Sequence, residues 1–124
     1  MAGELILIVE DNEKNLKLVR DVLQFKGYQT VEAGTGGDGV RLAKERHPAL
    51  VLMDIQLPGM DGITALGRLR ADPTTRAIPV IAVTASAMTH DRQKIMAAGF
   101  DGYQSKPIRV KEFLEAVRAM LDRT

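Results

Sequence analysis

The chain has 124 residues, enough for one domain with a buried core, and its 45% hydrophobic and 27% charged residues exclude a disordered tract. Cysteine is absent, which excludes disulfides and thiolate metal sites and fits a reducing compartment such as the cytoplasm. A formal net charge of +1 without a Lys/Arg block argues against direct nucleic-acid binding, and no apolar run is long enough to cross a bilayer.

The start, Met1-Ala2-Gly3-Glu4, lacks the basic stretch and cleavage site of a secretory leader. Leu5 to Val9 is short and continuously apolar, the pattern of a strand buried on both faces. Leu16, Val19, Val22 and Leu23 then form a helical stripe, with Gly27 placed to end the helix. Tyr28 to Ala33 is more polar and reads as an edge strand. A weaker helical pattern, Gly39 to Glu45, precedes a second buried strand, Leu50 to Met53. Ile63 to Arg70 is helical, and Val80 to Val83 after Pro79 is a third buried strand. Thr89 to Ala98 is a helix stopped by Gly99, and Gly102 to Ser105 is a second edge strand. Val110, Phe113, Leu114, Val117 and Leu121 repeat at the spacing of a final amphipathic helix. Strand and helix alternate five times with no linker, so one domain over residues 1–124 is expected, a doubly wound parallel α/β sandwich.

In such folds ligands sit beyond the carboxyl ends of the strands. Here those ends carry Glu10-Asp11, Asp54, Thr84 and Ser105-Lys106, so three acids, a hydroxyl and an amine converge on one edge. Clustered carboxylates repel unless a cation joins them, and hard oxygen donors suit Mg²⁺. A carboxylate can also attack phosphorus, giving an aspartyl phosphate, with Lys106 as a point charge for the phosphoryl oxygens. Taken singly, each residue has a plainer reading. Glu10-Asp11 is a polar loop start, Asp54 a turn cap, Thr84 a satisfied strand-end hydroxyl, Lys106 a solvated charge and Tyr103 a packed aromatic. The combination carries the inference.

The segments Ile8-Val9-Glu10-Asp11-Asn12, Leu52 through Gly62, Pro79 through Ala85 and Ser105-Lys106-Pro107 resemble the response-regulator receiver family in order and spacing over nearly the whole chain. That resemblance implies a CheY-like fold with strand order 2-1-3-4-5 and five flanking helices. It implies Asp54 as phosphoacceptor, Mg²⁺ held by Glu10, Asp11, Asp54 and the backbone carbonyl of Gln56, and Lys106 contacting phosphate through a cis Lys106-Pro107 bond. It implies Thr84 and Tyr103 as switch residues, with a histidine kinase or histidine phosphotransfer protein as phosphodonor and a monomer or weak homodimer as the working state. Self-dephosphorylation is implied. Gln56 and Ser86, two residues after Asp54 and Thr84, are expected to flank the path of water, the plainer reading being side chains in solvent. Partner binding is expected through a face containing Met88, Ile95 and Tyr103, the plainer reading being Met88 and Ile95 as ordinary core. Val9 through Asn15 and Ala85 through Met88 are most similar to single-domain regulators of the DivK type, and receivers fused to hybrid histidine kinases carry similar segments.

Competing readings are weaker. Gly34-Thr35-Gly36-Gly37-Asp38-Gly39 matches a dinucleotide fingerprint literally but follows a polar strand and not the buried first one. An aspartate-nucleophile phosphatase needs a second acid two residues after the nucleophile, where Gln56 stands. A degenerate receiver used only for binding is disfavoured by intact Asp54, Thr84 and Lys106. His47 and His90 have no metal spacing and read as solvated.

Overall fold

A computed structural model describes residues 3–85 and 89–123, with the side chains of all but 89–91. The elements run β1 (Leu5–Val9), α1 (Glu13–Phe25), β2 (Gln29–Ala33), α2 (Gly36–Arg46), β3 (Leu50–Asp54), α3 (Gly62–Ala71), β4 (Val80–Thr84), α4 (Thr89–Ala97), β5 (Gly102–Ser105) and α5 (Val110–Asp122). The five strands pair in parallel in the order β2-β1-β3-β4-β5. The continuous apolar strands are thus central and the polar ones are edges, as their composition requires.

Successive strand side chains point to opposite faces, and both faces are covered. Leu7, Val9, Val51, Met53, Val80 and Ala82 pack with Ala43 of α2, Ala65, Leu66 and Leu69 of α3 and Ile95 of α4. Ile6, Ile8, Leu50, Leu52, Ile81 and Val83 pack with Val19 and Leu23 of α1 and with Phe113, Val117 and Leu121 of α5.

Local chemistry sets the element ends. Asn12, Thr35 and Asp61 each cap a helix by accepting the N–H three residues on, from Asn15, Asp38 and Thr64. Gly27, at φ +90°, ends α1 with N–H bonds from Gly27 to Gln24 and from Tyr28 to Leu23. Tyr28 therefore belongs to this stop and not to β2.

The glycine-rich run differs from the sequence expectation. Helix α2 starts at Gly36 and absorbs both Gly36 and Gly37, because the Thr35 cap and tertiary packing outweigh the weak helix preference of glycine. A Cβ at Gly39 would lie 2.8 Å from Val9 Cγ2, so this glycine lets α2 lie close on β1. His47 ends α2 in the left-handed region at φ 47° and is exposed. The side chain of His90 lies outside the described residues.

Candidate functional site

Three strand ends build the site. Glu10 follows β1, Asp54 is the last residue of β3 and Lys106 follows β5. Glu10 and Asp54 are only 5% and 4% exposed, so both carboxylates are largely withdrawn from water. Lys106 Nζ lies 2.9 Å from Glu10 Oε1 and 3.0 Å from Asp54 Oδ2. The other oxygen of each acid accepts a backbone N–H: Asn12 donates to Glu10 Oε2 and Gln56 to Asp54 Oδ1, both at 3.1 Å. Asp11, the exposed third acid, joins them, and ligand oxygens of Glu10, Asp11 and Asp54 lie within 4.8 Å of one another. One ammonium thus pairs with two carboxylates of a cluster of three.

The electrostatics follow from that ratio. Burial, and then the Asp54 carboxylate beside it, push Glu10 above the usual glutamate value, although Lys106 and the Asn12 N–H pull the other way. Burial pulls Lys106 down, but hydrogen bonds to Glu10 and then Asp54 outweigh it, and the ammonium is held above the ordinary lysine value.

The backbone around Asp54 is fixed from two sides. Leu57 is buried in the core, anchoring the loop after β3. Gly62 opens α3 directly against the end of β3: a Cβ there would lie 2.4 Å from the Asp54 carbonyl oxygen and 2.9 Å from Ile55 Cα. The Gly62 N–H also donates to the Ile55 carbonyl at 3.0 Å. Gly62 is the last residue of the motif that begins at Leu52, and this close approach is its role. Its signal was an Asp-Gly pair at a helix start, which by itself says nothing about what lies opposite.

The remaining expected residues fall in several places. Thr84 ends β4 and is buried on the same sheet edge, and its carbonyl accepts the Lys106 N–H at 2.7 Å. The Lys106–Pro107 bond is cis. Gln56 is exposed at the rim. Tyr103 lies outside the acid cluster, half-buried on β5, with the Arg92 guanidinium 4.7 Å above its ring. Ile95 is 4% exposed and packs in the core on the inner face of α4, the plainer of the two readings its sequence allows. Ser86 and Met88 lie outside the described residues.

This geometry can be compared with known proteins. The family described as the response regulator receiver domain matches residues 6–118. The chain belongs to this family. The polar-differentiation response regulator DivK of Brucella ovis is 47% identical over 116 residues, 94% of each chain, and that of Brucella anthropi is 46% identical over the same share. Among solved receivers, that of the sensor histidine kinase PA1611 from Pseudomonas aeruginosa PAO1 superposes with a TM-score of 0.90 at 34% identity, covering 98% of this chain and 99% of that one. It was solved with a magnesium ion coordinated in its active-site cleft. The signal receiver domain of a histidine kinase from Syntrophus aciditrophicus gives a TM-score of 0.90 at 30% identity, covering 98% and 92%. Both agree with the CheY-like sheet order described above.

Proposed function

We propose that this receiver works as one unit over residues 1–124 and takes a phosphoryl group on Asp54 from a phosphohistidine of a histidine kinase or histidine phosphotransfer protein. The observation that carries this is Asp54 itself: a buried carboxylate at a strand end, one oxygen 3.0 Å from an ammonium and two further acids beside it. In the transfer, an Asp54 carboxylate oxygen bonds to phosphorus as the donor phosphorus–nitrogen bond breaks. The electron pair returns to the ring nitrogen, which takes up a proton. Lys106 follows the charge onto the phosphoryl oxygens, and the Gln56 N–H keeps the acceptor carboxylate oriented.

The acids fit Mg²⁺. They offer hard oxygen donors within one small cluster, and three carboxylates against one ammonium leave negative charge that a divalent ion offsets. Glu10, Asp11, Asp54 and the Gln56 carbonyl would hold it. When bound it supplies electrostatic stabilisation of the phosphoryl oxygens.

Water attack on the aspartyl phosphate then breaks the phosphorus–oxygen bond, restores the Asp54 carboxylate and releases inorganic phosphate. The chain therefore catalyses only its own phosphorylation and dephosphorylation. Thr84 and Tyr103 couple the phosphoryl group to partner affinity, in a cytoplasmic protein working as a monomer or weak homodimer without direct nucleic-acid contact. The likeness to receivers of two histidine kinases supports a second setting, a receiver within a hybrid kinase, in which the same site acts on the same donor chemistry.

The test is intact mass after incubation with Mg²⁺ and a small acyl-phosphate donor. The expected result is a single phosphate adduct that Asp54→Asn abolishes. A full adduct persisting in Asp54→Asn refutes the assignment.

A further inference from the structure

The contact between α4 and β5 lies outside the acid cluster, and the chemistry above leaves it unexplained. The Arg92 guanidinium stands 4.7 Å from the centroid of the Tyr103 ring. This is within the range in which a cation is drawn to the ring face. No carboxylate among the described residues pairs with Arg92, so the ring is the contact that orients it. The two residues line a cleft with Gln93, Met96 and Gly102. Met96 beside them is 46% exposed.

The sheet register says what this contact opposes. Ala82 pairs with Tyr103 and Thr84 with Ser105. Side chains alternate along a strand, so Thr84 and Tyr103 project from the same face of the sheet as diagonal neighbours on adjacent strands. The guanidinium contact is made with the ring in the α4–β5 cleft, so it stabilises that ring position and not one shifted along the face toward Thr84.

We propose that Arg92 is a positioning residue for the switch: it holds Tyr103 in the α4–β5 cleft and thereby opposes the phosphorylated conformation. This rests on the receiver reading of Asp54 and adds to it the residue that sets the resting balance. An exposed cation–π contact of ordinary strength corresponds to a two- to fivefold change in that balance, roughly. By linkage, a phosphoryl mimic that favours the inward state then binds tighter by the same factor once the contact is gone.

The experiment uses the full chain, Mg²⁺ and beryllofluoride as the mimic, with the tyrosine rings ¹³C-labelled. The chain has only two tyrosines, so Tyr28→Phe assigns the Tyr103 signal. In Arg92→Gln, the Tyr103 ring signal without mimic should shift toward its mimic-bound position. Apparent affinity for beryllofluoride should rise about two- to fivefold. Arg92→Lys, which keeps a cation, should restore most of the resting behaviour. In a Tyr103→Leu background, Arg92→Gln should change nothing, a result that a merely structural role for Arg92 would not give. Wild-type mimic binding and Asp54 phosphorylation with an unmoved ring signal and unchanged affinity in Arg92→Gln overturns the role of Arg92 alone. A wild type that neither binds the mimic nor takes phosphate overturns the receiver reading and this proposal together.

Discussion

The two ends of the sheet both carry charge clusters, but they are balanced differently. At the amino end, guanidiniums are matched to carboxylates. Arg70 reaches Asp101 at 2.7 Å, and the same oxygen accepts the Val80 N–H at 2.8 Å. Arg118 reaches Glu4 at 2.8 Å and Asp122 at 2.9 Å. At the carboxyl end, three acids cluster and one lysine pairs with two of them, Glu10 and Asp54. The pKa directions diverge accordingly. A hydrogen bond from its own backbone N–H, and then Arg118, hold Glu4 below its ordinary value, whereas burial and Asp54 raise Glu10. The amino end is balanced by the fold itself, while the carboxyl end is left with excess negative charge.

Removing the cation from each end tests this difference most strongly. Lys106→Met strands two largely buried carboxylates and should cost on the order of 3 kcal/mol in urea unfolding at neutral pH without Mg²⁺. Arg118→Met, whose network is solvent-accessible, should cost about 1 kcal/mol or less. Equal losses would erase the contrast.

An added amine should act on chemistry at one end only. Gln56→Lys places a cationic chain at the rim of the proposed phosphorylation site, where it should obstruct water. The aspartyl phosphate should then last longer, by on the order of tenfold, or about 1.4 kcal/mol in barrier. Ala77→Lys at the other end should leave the lifetime unchanged. Phosphate loss followed over time decides between them.

Asp11 gives a smaller effect with a change of sign. It is exposed, joins the acid cluster and has no ion pair among the described residues. In a chelator, Asp11→Asn should raise stability by about 0.5 kcal/mol through relief of like-charge repulsion. With Mg²⁺ present the wild type should regain the advantage, because a ligand of the folded state stabilises it. Thermal melts with and without Mg²⁺ measure both arms.

The smallest effect is in the pH slopes. Thr74, and then Lys44, hold Asp72 near a pKa of about 2 against an ordinary 3.8. Its contribution is present above 3.8 and fades as pH falls toward 2, so Asp72→Asn should flatten that arm of the stability curve. Glu10 has the opposite sign. Its raised value means that ionisation destabilises the fold, so in a chelator stability falls as pH rises from 4.5 through the folded pKa. Glu10→Gln should remove that slope.

The sequence by itself determined which segments are strands, that both sheet faces are buried, and that Glu10, Asp11, Asp54, Thr84 and Lys106 share an edge. Hydrophobic runs and strand ends are local patterns, and chain order fixes which end of a parallel strand carries its last residue. Other features needed the tertiary structure. Gly62 and Gly39 are helix-start glycines in sequence, yet what they permit is close approach to Asp54 and Val9, segments distant in the chain. Ile95 and Tyr103 both look apolar enough for either face, and only the seating of α4 on the sheet buried the first and brought Arg92 over the second. The early start of α2 follows the same logic, since packing against β1 and α3 decided what glycine's intrinsic preference opposed. Contacts between segments far apart in the chain leave no period or spacing in the sequence, because each partner obeys only its own local pattern until the sheet brings them together.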